Sequence, residues 1–296
     1  MNGKDDFAFI TGGGGSIGSG IAQACLERGW RVALADISGR SMDETARRFG
    51  VGEDRLMTVQ LDVSDPDAWE RAAQEAENRF GAVSRLFNNA GVQSGQAAVA
   101  GGTIETLSVE EWRWTNAINY DGVFFGLKTF VPRFKASGRW THIVNTSSVA
   151  AIAPLKTALP LSYAASKAAV AHMAAQLRTE LAMQGVTNVG VSVLYPGRVT
   201  SDIVKTSLAM RARDKAIADE DITLAERPIG IDPLLIGRFT LAAMDRGDFH
   251  IFSHPEWGER FLQYRKELDS SFKDAADPEF SDPSTEFVDI SFFTSK

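Results

Sequence analysis

Cysteine is almost missing: the 296 residues hold one, Cys25, so no internal disulfide can form. It stands among Ala22, Ala24 and Leu26 in a stretch of helical periodicity, where a buried inert thiol is expected rather than a nucleophile. Basic charge is outweighed by acidic charge, with a formal net charge of −7 and no Lys/Arg run, which disfavours nucleic acid or an anionic membrane as partner. No apolar run approaches a membrane span, and residues 1–6 lack the basic-then-apolar pattern of an export signal. A reducing, cytoplasmic setting is therefore expected. His142, His172, His250 and His254 do not stand at metal-ligand spacing, so no metal is expected and core or surface roles are their default. No GxSxG elbow supports a Ser-His-Asp hydrolase, and neither repeats nor low-complexity segments are visible.

What is present fits one α/β domain, with 44% hydrophobic and 23% charged residues. Apolar runs at 7–11, 31–36, 56–62, 84–88, 141–146, 189–194 and 249–253 read as strands alternating with helical patterns. One long helix is expected over 108–134, opened by Ser108 and Glu111 as a capping box. The alternation implies a Rossmann-type doubly wound parallel sheet with helices on both faces and ligands at the carboxyl ends of the strands. The domain is expected to span 1–273, with a charged, partly helical lid at about 200–230. A tail at 274–296 carries Phe280, Phe287, Phe292 and Phe293, too aromatic for disorder, and is expected to dock on a neighbouring subunit or beside the active-site mouth.

Gly12-Gly13-Gly14-Gly15-Ser16-Ile17-Gly18 joins a buried strand to an amphipathic helix. Such a turn lets the backbone approach a pyrophosphate, whose charge meets the amides at the helix start. Asp36 ends the next strand, where a carboxylate accepts hydrogen bonds from ribose hydroxyls and repels a 2′-phosphate. Ile37 follows it and no arginine stands at that turn, which favours NAD over NADP; the alternative is Asp36 as cap of the helix after Ser38. Tyr163 and Lys167 share one helical face. Moving a phenol from a pKa of about 10 toward neutrality takes roughly 4 kcal/mol, which an ammonium and a cofactor's positive ring can supply together. The result is a general acid/base for an alcohol or ketone. The pair gains weight from Asn145-Thr146-Ser147-Ser148 upstream and from the glycine turn. Asn119, between Ile118 and Tyr120, is either a buried amide with a specific partner or a solvated helix-face residue.

These residues, with Thr11-Gly12, Asp62-Val63, Asn88-Asn89-Ala90-Gly91 and Pro196-Gly197, give residues 6–253 a pattern that resembles the short-chain dehydrogenase/reductase family. The resemblance implies an NAD-dependent alcohol dehydrogenase, a homodimer or homotetramer, in which Tyr163 is the acid/base and Lys167 holds the nicotinamide ribose. It further implies that Ser148, with Ser147 as competitor, bonds the substrate oxygen and that Asn119 anchors a water-mediated proton path. Cofactor contacts are implied at Gly12, Ser16, Ile17, Gly18, Asp36, Asp62, Val63, Asn89, Ala90, Gly91, Tyr163, Lys167, Pro196, Gly197, Val199 and Ser201. Against the family pattern, Ser16 replaces the middle glycine and Ser201 a frequent threonine. The interval from Ser148 to Tyr163 is two residues longer than is common, which reshapes one pocket wall at 153–160. Thr129-Phe130-Val131-Pro132-Arg133 and Ala136-Ser137-Gly138-Arg139 are similar to bacterial Cα-dehydrogenases of lignin-type aryl ethers, implying a hydrophobic, benzylic secondary alcohol. Val92, Ala97, Ala98, Val99 and Ala100 suit such a substrate. An NADPH-dependent ketone reductase and a silent NAD-binding sensor are the alternatives; Asp36 opposes the first, and intact Ser148, Tyr163 and Lys167 oppose the second. Phe124, Phe125, Leu127, Met173 and Leu177 place apolar residues on more than one helix face, which suggests subunit packing.

Overall fold

Strand β1 (Phe7–Thr11) sends Phe7 and Phe9 to one face and Ala8 and Ile10 to the other, and all four are buried. A strand apolar on both sides belongs inside a sheet covered on both sides. The computed structural model, which describes residues 6–93, 103–154, 159–212 and 230–274, shows that sheet. Its strands are β1, β2 (Arg31–Asp36), β3 (Leu56–Gln60), β4 (Arg85–Asn88), β5 (Thr141–Thr146), β6 (Val189–Tyr195) and β7 (His250–Phe252). They run parallel in the order β3-β2-β1-β4-β5-β6-β7. The order reverses between β1 and β4, which opens a crevice at their carboxyl ends.

One face is filled by rings. Phe9 lies 5.2 Å from Phe130 of α5 (Gly122–Ala136) and 6.2 Å from Trp69 of α3 (Pro66–Phe80), centroid to centroid. The other face packs Ile10 and Leu34 with Ile21 of α1 (Ser16–Glu27), Met42 of α2 (Gly39–Phe49) and Ile236 and Leu241 of α8 (Pro233–Arg246). The expected single helix over 108–134 is three pieces: α4 (Val109–Asn116), a π turn (Ala117–Asp121) and α5. As the expected capping box requires of Ser108, its hydroxyl accepts from the Glu111 amide at 3.1 Å.

The described residues up to Pro255 form one compact unit and those from Glu256 another. In the second, a helix (Gly258–Asp274) leaves Phe261, Leu262 and Leu268 exposed. No helix among the described residues is long and apolar enough to cross a membrane. Leu127 is buried, while Phe124 is exposed, so only part of the apolar excess on α5 faces outward. The tail at 275–296 lies outside the described residues.

Near the amino end of β5, His142 Nε2 lies 2.8 Å from the hydroxyl of Ser192 in the middle of β6, which donates to the Asp248 carbonyl at 2.6 Å. That serine proton is committed to a backbone oxygen, so the pair is a buried tie and not a nucleophile with its base. Burial pushes the His142 pKa down to about 4. A group whose folded pKa is depressed adds stability above its unfolded value and loses it as pH falls through the folded one. Thermal unfolding of the protein is thus expected to cost about 3 kcal/mol of stability between pH 6.5 and 4 at this site. A His142→Asn variant should show a flatter decline; a parallel one would remove His142 as its cause.

Candidate active site

Gly12, at the end of β1, takes a left-handed φ of +64°, and a Cβ there would stand 2.9 Å from the Cα of Ala90. Gly18 is held closer still, since its added Cβ would fall 2.1 Å from the Gly12 carbonyl oxygen. The glycine turn therefore folds flat on the first turn of α1. That helix begins at Ser16 and Ile17 after Gly15, with no side-chain cap, the kind of end that receives an anion. Thr11 stitches the turn to its neighbour. Its hydroxyl accepts the Asn89 and Ala90 amides at 2.9 and 3.0 Å, and Asn89 Nδ2 donates to the Thr11 carbonyl at 3.1 Å.

Asp36 ends β2 with Oδ2 accepting from the Gly14 amide at 3.1 Å and Oδ1 from the Ser38 amide at 3.0 Å. Burial raises its pKa, and the Ser38, Gly14 and Ile37 amides pull it back. The cap of α2 is Ser38, whose hydroxyl accepts from the Ser41 amide, so the capping alternative for Asp36 is not the one the fold uses. Asp62 Oδ1 accepts from the Ser64 amide and hydroxyl at 2.9 and 2.6 Å, with Val63 buried beside it.

Strand β5 delivers two serines with different surroundings. Ser147 is buried, and its hydroxyl donates to the Lys167 carbonyl at 2.7 Å. Ser148 is extended and accepts the Ala150 amide at 3.1 Å, and its hydroxyl is near enough to the Tyr163 phenol to lower that phenol's pKa. Tyr163 and Lys167 lie one turn apart on α6 (Leu161–Met183), with Lys167 Nζ 5.8 Å from the tyrosine ring centre. The Nζ donates to the Thr146 carbonyl at 2.9 Å, and the side chain is buried. Burial raises the Tyr163 pKa, the Ser148 hydroxyl lowers it by a smaller amount, and burial also takes Lys167 down to about 8. A desolvated amine carries only part of its charge near that pH.

Asn119 falls in the π turn and is fully buried, so the solvated alternative does not hold. Single π turns inside helices recur at functional sites. Its Oδ1 accepts the Val92 amide at 2.7 Å while Nδ2 donates to the Val92 carbonyl at 2.9 Å and to Ser166 Oγ at 3.1 Å. Ser166 passes the chain on to the Tyr163 carbonyl at 2.8 Å. Gly91 completes the group, for a Cβ there would stand 3.1 Å from Lys167 Nζ and 3.2 Å from Asn119 Oδ1. Ser166 escapes sequence reasoning because a small hydroxyl residue in a helix has no local signature, and the sequence singles out the stretch holding Thr146 without showing that its carbonyl receives Lys167.

Beyond β6, Pro196 is buried and its carbonyl accepts the Val149 amide at 3.1 Å, tying the two strand ends together. Val199 is buried and bridges Ile231, and Ser201 is half-buried before α7 (Ile203–Ala212). This helix is the described part of the expected lid. Ser207 accepts the Gln93 amide at 3.0 Å, and Arg211 lies 3.3 Å from Glu110 and 5.1 Å from the Trp114 ring of α4. Residues 94–102, 155–158 and 213–229, where the apolar loop, part of the longer pocket wall and the rest of the lid were expected, lie outside the described residues.

An uncapped helix start against a glycine turn, a carboxylate at the next strand end and a phenol near an amine fit a dinucleotide that reaches from Asp36 to Tyr163. The model for "short chain dehydrogenase" matches residues 6–212. A C alpha-dehydrogenase of Sphingobium sp. (strain NBRC 103272 / SYK-6) is 31% identical over 285 residues, 93% of this chain and 90% of that protein. An NADP-dependent (R)-specific alcohol dehydrogenase of Lentilactobacillus kefiri is 33% identical over 201 residues, 68% of this chain and 76% of that protein. The crystal structure of a short chain dehydrogenase/reductase from Burkholderia phymatum in complex with NAD superposes with a TM-score of 0.79 at 27% identity, covering 90% of this chain and 95% of that one.

Proposed function

The chain belongs to the short-chain dehydrogenase family, and on that premise we propose that it is an NAD-dependent dehydrogenase oxidising a hydrophobic, benzylic secondary alcohol to a ketone. The observation that carries the chemistry is the hydroxyl pair of Ser148 and Tyr163 above the buried Lys167. Bound NAD supplies the hydride acceptor. The chain supplies orientation and proton management. Ser148 bonds the substrate oxygen, and Tyr163 takes the hydroxyl proton as the carbon gives up its hydride, so that alcohol and NAD become ketone, NADH and a proton. Lys167 holds the nicotinamide ribose, and Asn119, fixed by both ends of its amide, anchors the proton path behind it. Gly12, Ser16, Ile17 and Gly18 receive the pyrophosphate; Asp62, Val63, Asn89, Ala90 and Gly91 line the adenine and ribose; Pro196, Gly197, Val199 and Ser201 meet the carboxamide.

The benzylic assignment draws on the likeness to the Sphingobium protein, which extends over nearly both whole chains. Purified protein with NAD and a panel of benzylic and aliphatic secondary alcohols, followed by absorbance of the reduced nicotinamide, tests it. Turnover on benzylic alcohols is expected, and NADH binding without turnover on any alcohol or ketone would return the protein to a sensor. The cofactor choice rests on Asp36, because family membership is compatible with NADP as well. Asp36→Ser is expected to lower the preference for NADH over NADPH by about tenfold or more, since a charged hydrogen-bond partner is lost and a phosphate is no longer repelled. Titration of both reduced cofactors by fluorescence measures it; an unchanged ratio would clear Asp36 of this role. Exposed Trp112, Tyr120 and Phe124 on the α4–α5 side provide a surface for a homodimer or homotetramer. A cytoplasmic setting is part of the same proposal and draws on the lone Cys25 and the acidic charge.

A further inference from the structure

The ladder between β6 and β7 ends at Tyr195 and Phe252, and past that point a side chain takes over from the backbone. His254 Nδ1 accepts from the Gly197 amide at 2.9 Å and lies 2.8 Å from the Ser253 hydroxyl, while Nε2 lies 2.9 Å from the Arg198 carbonyl. A carbonyl can only accept and an amide only donate, which puts the ring proton on Nε2. The ring is buried, and Gly197 lies against it so closely that a Cβ there would stand 2.6 Å from the ring Cγ. On its other flank the same segment is held by Ile231, whose amide donates to the Arg198 carbonyl at 3.0 Å and whose carbonyl accepts from Thr200 at 3.1 Å. The Arg198 side chain is exposed, so the buried bonds act on the backbone alone.

Resting on the NAD reading above, we propose that His254 is a positioning residue for the nicotinamide end of the cofactor, fixing the backbone of 197–201 through a single tautomer. Two hydrogen bonds from one rigid ring set both the height and the tilt of the peptide that meets the carboxamide. The adenosine end is held elsewhere, by Asp36 and the glycine turn, so the two ends of the dinucleotide report separately. In a His254→Leu variant the NADH dissociation constant and the KM for NAD are expected to rise roughly tenfold, while AMP, which carries only the adenosine end, binds as in the unaltered protein. His254→Gln, which keeps one donor and one acceptor, should recover most of the loss. Equal weakening of NADH and AMP, or none, would overturn the assignment, whereas an unaltered protein that binds no NADH would remove the dinucleotide reading and this inference with it. Imidazole nitrogen NMR on the full chain, assigned through His254→Gln, gives a readout that does not need the leucine variant to fold. An Nε2–H ring perturbed by NADH but not by AMP is expected; a doubly protonated or Nδ1–H ring refutes the assignment.

Discussion

Turnover is expected to fall roughly a thousandfold when Tyr163 is replaced by phenylalanine, the range over which a positioned acid/base acts, with NADH affinity nearly unchanged. The substitution removes one oxygen and leaves the ring, so Lys167 keeps its packing and its bond to the Thr146 carbonyl. Ser148 retains the Ala150 amide and can still bond a substrate oxygen. What is lost is the phenol on which the Ser148 hydroxyl acts, the group proposed to take the alcohol proton. Because burial raises the phenol's pKa, oxidation by the unaltered protein should quicken as pH rises, when more of the phenol is deprotonated. The variant should lose that limb. Initial rates in both directions across pH, beside NADH titration, measure the effect. Retention of activity within a few-fold would remove Tyr163 from the proton step.

The location of this site was legible because its signals are local. A tyrosine and a lysine at helical spacing share a face whatever the tertiary structure, and an aspartate at the end of an apolar strand must lie at the sheet's carboxyl edge. The energetics were not legible. The burial that raises the Tyr163 pKa belongs to the folded protein and not to any window of sequence. The π turn at Asn119 was equally hidden, since the same residues would read as uninterrupted α-helix. Thr11 and Ser166 needed partners far along the chain, Ala90 and Asn119, that no periodicity links to them. His254 was read as an ordinary core or surface histidine for the same reason, its partners standing at the end of another strand.

The second large effect belongs to a pair of glycines that the sequence gives no reason to connect. Gly20 lies inside α1 and Gly237 inside α8, where glycine weakens a helix by about 1 kcal/mol relative to alanine. The fold needs them because the two helices cross there almost backbone to backbone. A Cβ at Gly20 would fall 2.1 Å from the Pro233 carbonyl oxygen, and one at Gly237 would fall 2.3 Å from the Gly20 carbonyl oxygen. Both obstacles are main chain, so no rotamer change relieves them, and the helices must separate. Separation would open the face that buries Ile21, Ile236 and Leu241 and would tilt the start of α1, which carries Ser16 to Gly18. Gly20→Val is therefore expected to destabilise the protein by about 3 kcal/mol or more, a large part of the roughly 5–15 kcal/mol available to a domain. NADH binding should weaken with it even where the protein still folds. Gly29→Ala provides the contrast, because nothing lies within 4 Å of its added Cβ, although its φ of +84° carries a cost of its own. Chemical denaturation of the two variants decides the matter: a Gly20→Val protein as stable as the unaltered one would mean that α1 and α8 do not approach as closely as the glycines permit.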